Sequence, residues 1–230
     1  MQPPQPGFWQ KHVFTLVIAG CSLFVALTLI AMLVYPGGPA VDPYARGYSF
    51  FKNFFSELGF TRTRAGAPNP IAAPLFFIAL TIAGICEGLF FLAFTQFFKQ
   101  GKASRYLSYA GTAFGLASGI CFVGVAFTPA NLFQEPHTQF VMWAFQLFPV
   151  AVFLYTILIF RHPTYPRRYG VVFLVFGVLL VLYVLLLRLG PDFSTPQGYE
   201  IQVAGQKIIA YAALISVGIQ AWGARMRSKI

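Results

Sequence analysis

Six long apolar stretches, separated by short polar punctuation, set the pattern of this chain. They cover residues 13–35, 71–98, 106–127, 138–160, 170–188 and 203–224. Each is long enough to cross the hydrocarbon of a bilayer as a helix, which needs about 20 apolar residues. Segments buried in lipid must satisfy their own backbone hydrogen bonds, and uninterrupted runs of this length do so as helices rather than as barrel strands. The pattern therefore predicts an all-α membrane protein, a six-transmembrane-helix bundle forming one domain over residues 1–230.

The connections refine this picture. Residues 99–105, 128–137 and 161–169 are short links, which place consecutive helices side by side and antiparallel. Residues 36–70 are much longer, and a connection of that length usually carries a structure of its own. Within it, Phe50, Phe51, Phe54, Phe55 and Leu58 alternate with Lys52, Asn53, Ser56 and Glu57 at helical spacing, with Gly59 as a C-terminal stop. This predicts a short amphipathic helix over 48–58, about 16 Å long, lying in the membrane interface rather than crossing it. Asn69-Pro70 then reads as the N-cap and first turn of the second span.

Composition sharpens the class. The chain is 57% hydrophobic and 10% charged, against about 25% charged for a soluble domain. Its net charge of +10 could suggest nucleic acid, but the distribution of the basic residues points to topology. With the N-terminus in the cytoplasm, ten of the sixteen Lys and Arg fall on the cytoplasmic side, including Lys11, Lys99, Arg161, Arg225 and Lys229. Asp42, Glu57, Glu135, Asp192 and Glu200 all fall on the other. The bias predicts a multi-pass plasma-membrane protein with both termini cytoplasmic and membrane lipids as its partners, not nucleic acid. The tail, residues 1–12, places Phe8 and Trp9 at the interface, and the run after it is too long for a cleaved signal peptide. Cys21, Cys86 and Cys121 all lie in spans, where they read as packing residues rather than a disulfide framework.

Small residues suggest how the helices approach. Gly111, Gly115 and Gly119 recur every four residues, and Gly84 and Gly88 do the same on the second span. Such faces let helix backbones come close in lipid, within one chain or between copies in a homo-oligomer. Pro149 inside the fourth span frees the carbonyl of Phe145, which predicts a kink with Gln146 near the released acceptor.

Two sets of residues could carry chemistry. Glu87 is the only ionisable side chain deep in a span, roughly 24 Å along its helix and past the midplane. A carboxylate there must face protein or be neutral, so it reads either as a proton-coupled site or as a hydrogen-bonded structural group. The second set comprises Asn53, Ser56, Glu57, Asn69, His137, Gln206 and Lys207, all placed by topology at the outer interface. Polar groups converging over an apolar bundle would make a binding site. Lys207 also reads as a residue that snorkels to the headgroups. His137 opens a helix, where the dipole favours a neutral ring able to act as base or ligand.

Several chemistries are excluded. Three histidines placed at opposite ends, His12, His137 and His162, make neither a paired-histidine haem site nor a three-histidine zinc site. No nucleophile-elbow, P-loop or zinc-protease motif occurs, and no metal or cofactor is expected. Three readings stay open, the first being non-enzymatic: an outer polar cap binding a lipid headgroup or small ligand, a proton-coupled transporter using Glu87, and a membrane hydrolase using Ser56, Glu57 and His137.

The segment N-F-F-S-E-L-G at 53–59, Asn69-Pro70 opening a helix, and "GVAFTP" followed by a histidine at the next helix start resemble the prokaryotic integral-membrane family called domain of unknown function 998. Glu57 stands where Asp is common in that family. The resemblance spans about residues 13–225 and implies the multi-span fold. It implies no particular activity.

Overall fold

The structure, a computed structural model, describes residues 8–228, with side chains from His12 onward. The tail 1–7, the interfacial placement of Phe8 and Trp9, and the charges of Lys11 and Lys229 lie outside the described residues. Six helices follow in order: α1 (Phe8–Val34), α2 (Ala72–Phe94), α3 (Gly101–Phe127), α4 (Gln134–Arg161), α5 (Arg167–Leu189) and α6 (Pro196–Arg227). Each is long and apolar enough to cross a membrane, so the chain is a multi-pass all-α membrane protein. The N-terminal ends of α1, α3, α4, α5 and α6 begin several residues before the apolar runs, most at α6, because polar residues at a span's end can remain helical in the interface. Helix α2 instead ends at Phe94 and gives way to a 3-10 turn over Thr95–Phe97.

The helices form a closed ring. Each packs on the next, α1 on α2 through to α5 on α6, and α6 returns to α1. Short connections produce this order, because consecutive antiparallel spans have no room to be anywhere but adjacent. Outward faces stay greasy, with Leu33, Ile120, Leu182 and Ile215 exposed to what would be lipid.

The glycines predicted to draw helices together do so inside one chain. At Gly84 an added Cβ would stand 2.5 Å from the carbonyl oxygen of Gly119, and at Gly119 one would stand 2.6 Å from that of Gly84. Backbone meets backbone there, closer than any other side chain allows. Gly111 faces Tyr155 of α4, and Gly115 faces Phe91 of α2. Gly111, Gly115 and Gly119 of α3 are therefore each packed against a neighbouring helix of the same chain. The helix α4 is continuous through Pro149, and Gln146 Oε1 accepts from Arg188 at 2.9 Å.

The two ends of the ring differ. At the end holding residues 95–100 and 162–166, called the floor, the interior is solid: Phe90, Phe94, Phe98, Tyr155, Tyr165 and Phe173 are buried against one another. At the other end, residues 35–71 fold over the ring as a roof. The 48–58 segment is not the amphipathic helix its spacing suggests. Residues 50–53 form a turn and bend, Phe54 is extended (φ −60, ψ 148), and only Phe55–Gly59 winds, as a 3-10 turn. The reason is tertiary. A helix would spend the Asn53 carbonyl on the N–H of residue 57. Here that carbonyl accepts instead from Lys207 Nζ on α6 and from the Tyr48 hydroxyl, and Glu57 N–H donates to Phe54 O.

Asn69 does not cap α2. Its Nδ2 donates to the carbonyls of Leu58 (3.1 Å) and Phe60 (2.9 Å), and its N–H donates to Thr61 O. The side chain thereby clamps a small hairpin over 61–69 that reverses at Gly66, whose φ of +85 suits glycine. The helix proper starts at Ala72, with no side-chain cap.

Candidate functional site

The residues expected at the outer interface do come together, but in two groups with opposite characters. The first is a polar knot inside the roof. Asn53 and Glu57 are fully buried. Asn53 Nδ2 donates to Glu57 Oε2 at 2.6 Å and to Gly38 O at 3.1 Å, while its Oδ1 accepts the Ser49 N–H at 2.8 Å. Arg64 reaches back seven residues to Glu57 Oε1, with Nε at 2.8 Å and Nη2 at 2.7 Å. Lys207 is also fully buried, its ammonium held by the carbonyls of Asn53 and Val203 and lying 5.5 Å and 5.3 Å from the ring centres of Tyr48 and Phe50. Lys207 therefore does not snorkel outward; it pins the roof to α6. Burial, and next the Glu57 charge, push the Tyr48 phenol up from its ordinary pKa, so its hydroxyl remains a donor to the carbonyls of Asn53 and Phe54. Almost every polar atom in this knot is spent on another protein atom, which suits a structural closure and leaves little for a ligand.

The second group faces inward. Ser56, His137 and Gln206 line a cavity beneath the roof, and Glu87 lines the same cavity from α2. The helices present regular faces to it: Phe76, Leu80, Ala83 and Glu87 on α2, and His137, Val141, Phe145 and Phe148 on α4, each at three- or four-residue spacing. The cavity runs from the roof to about the middle of the ring, where the floor aromatics close it. About 90 Å³ is open to the centres of water-sized spheres, room for several waters or a small organic group. Six phenyl rings wall it: Phe24, Phe55, Phe76, Phe122, Phe145 and Phe148.

The polar groups on this wall are only partly committed. His137 is buried, and its Nδ1 lies 2.7 Å from Thr128 O. A carbonyl can only accept, so Nδ1 carries a proton, and in the neutral ring Nε2 holds the lone pair. Gln206 Oε1 accepts the Phe55 N–H at 2.7 Å and thereby positions the 3-10 turn. Glu87 is 6% exposed. Ser118 of α3 lies against its carboxyl but donates its own proton to Ala144 O at 3.2 Å, and Glu87 Oε1 has no partner. Among the described residues lining the cavity there is no Lys or Arg.

Another pocket lies beside the first, between the roof and the roof-side ends of α2, α3 and α4. Ser56, Phe76, Val125 and His137 belong to both. Phe76 thus stands between the two spaces. It meets Phe55 edge-on with ring centres 5.4 Å apart, and Gly59 leaves room for it, since a Cβ there would come 2.8 Å from its ring.

The arrangement bears on each expected chemistry. Ser56 and His137 share two pockets, but Glu57 is turned into the roof and held by Arg64 and Asn53, so it does not orient His137 as a hydrolase triad requires. Among the described residues no cluster of three or more His, Cys, Asp or Glu is placed to hold a metal. Pattern alone does not reveal Arg64 as the partner of Glu57, nor the cavity. Its only signal is the apolar face of α2 that ends in Glu87. No family model, curated protein or solved structure matches this chain, so the cavity itself is the guide to its role.

Proposed function

We propose that this polytopic membrane protein binds a small, largely apolar molecule in the cavity beneath the roof. One observation carries the reading: a space inside a closed helix ring, walled in part by six phenyl rings, with the His137 imidazole on its wall and a buried Glu87 carboxyl oxygen left without a partner. Small-molecule sites are of this kind, apolar with a few convergent polar groups. A headgroup held by the roof itself is less well supported, because the roof's polar atoms serve one another. A proton-coupled transporter remains compatible with Glu87 in the same cavity. The chain is further proposed to belong to the family called domain of unknown function 998, on the N-x-x-S-E-L-G element that forms the roof. It is proposed to sit in the plasma membrane with both termini cytoplasmic, on its charge bias.

The test is to fill the space. Ala213 lines the cavity from α6, and Ala213→Leu should occupy part of it. Cavity filling commonly stabilises by about 0.5–2 kcal/mol. The protein should therefore melt higher in detergent while losing apolar molecules that co-purify with the wild type and are detected by mass spectrometry after solvent extraction. If the variant carries the same co-purified molecules in the same amount, the cavity is not their site and the reading fails.

A further inference from the structure

We propose that the cavity selects a lipophilic cation, an amine or quaternary ammonium carrying an apolar group, with Glu87 as its counter-charge. The inference rests on the reading of the cavity as a ligand site and adds the ligand's class.

Three observations point the same way. First, Glu87 is almost wholly buried, lines the cavity, and keeps Oε1 without a partner. A buried carboxyl oxygen left unpaired is costly unless something in the site completes it. Second, no Lys or Arg stands among the described residues lining the cavity. The buried Lys207 ammonium is spent on the Asn53 and Val203 carbonyls, and the Arg64 guanidinium is spent on Glu57. Third, six phenyl rings stand on the wall among its aliphatic residues. Phenyl faces carry the negative part of the ring quadrupole and attract cations, most strongly where water is excluded, and quaternary ammonium ions are recognised by cages of this type.

The same facts argue against an anionic head. A phosphate or carboxylate in this space would lie near Glu87 with no Lys or Arg on the wall to offset it. The titratable groups facing Glu87 from neighbouring elements are His137 on α4, Cys21 on α1 and Cys121 on α3, with Cys86 beside it on α2. None is a permanent positive charge. Charge balances if the carboxyl is neutral in the empty cavity: a permanent cation enters, the carboxyl proton leaves to solvent, and the cavity's net charge is unchanged.

The probes are benzyltrimethylammonium and its uncharged carbon isostere, neopentylbenzene, titrated into the full chain in nonionic detergent. The wild type should bind the cation more tightly than the isostere, and Glu87→Gln should lose about tenfold or more in cation affinity while keeping the isostere. Binding enthalpies in buffers of different ionisation heat should show close to one proton released per cation. Equal cation binding by wild type and Glu87→Gln, or preference of the wild type for the isostere, would overturn the assignment yet leave the cavity as a ligand site. If the wild type binds neither probe, the cavity reading falls as well. Should Glu87→Gln bind neither, Glu87→Asp decides: retained cation binding supports the proposal, and its loss overturns it.

Discussion

Asn53 is the residue on which the roof turns. Its amide can be oriented only one way, because Oδ1 is needed by the Ser49 N–H and Nδ2 by the Glu57 carboxylate. Truncation to alanine strands a buried carboxylate oxygen and a backbone N–H, so Asn53→Ala should destabilise by about 2–4 kcal/mol, read as a lower melting temperature in detergent with no ligand added. Lys207 makes a contrasting case. Its desolvation opposes folding while its contacts to carbonyls and rings favour it, and a volume-matched apolar residue often replaces such a buried ion at little cost. Lys207→Met should therefore melt much closer to the wild type than Lys207→Ala, which also leaves a hole. If both variants lost the same stability, the ammonium rather than the stem would be what holds the roof to α6.

Two elements show how the ring is held. The contact of α2 with α3 depends on Gly84 and Gly119 touching backbone to backbone. Gly84→Val should overpack it at a cost of about 1–3 kcal/mol or more, and the loss should appear equally at low protein concentration, since the contact lies within one chain. The floor link between α4 and α5 turns on His162. Its Nδ1 accepts the N–H groups of Thr164 (3.2 Å) and Tyr165 (3.0 Å), a role open only to an unprotonated nitrogen. Partial burial, and then the Arg227 charge, lower its pKa from the usual 6.5. A group whose folded pKa is depressed favours its neutral form on folding. Its contribution is therefore present above pH 6.5 and is lost as pH falls through the folded value. Melting temperature should drop on acidification through that range, and His162→Asn should flatten the drop relative to the wild type. Identical slopes would show that His162 does not titrate on unfolding.

For the molecule as a whole, the alternation of six spans puts the roof and both chain ends on opposite sides of the bilayer. Arg62 is exposed on the roof hairpin. With both termini cytoplasmic, a cysteine placed there should react in intact cells with a membrane-impermeant maleimide. Labelling only after the cells are opened would invert the orientation. The same closed ring explains why function concentrates beneath the roof. The floor half is solid with aromatic rings, and the cavity lies where the 3-10 turn, α4 and α6 bring Ser56, His137 and Gln206 into one wall with Glu87.

The sequence by itself determined the number of spans, the short links, and the presence of a folded structure over 36–70. These follow from hydropathy and length, which act locally and without regard to partners. The same logic misread the roof: the spacing of Phe50 to Leu58 suits a helix, and Asn69 before Pro70 suits a cap. Both were overruled by distant groups, since Lys207 lies about 150 positions along the chain from the carbonyl it takes. Candidate residues were legible by type and depth, yet only the tertiary structure divided them into a self-satisfied knot and an open cavity wall. That division depends on which lone pairs and protons already have partners, and chain order does not encode it directly. Only packing six helices in a ring leaves the space at Glu87.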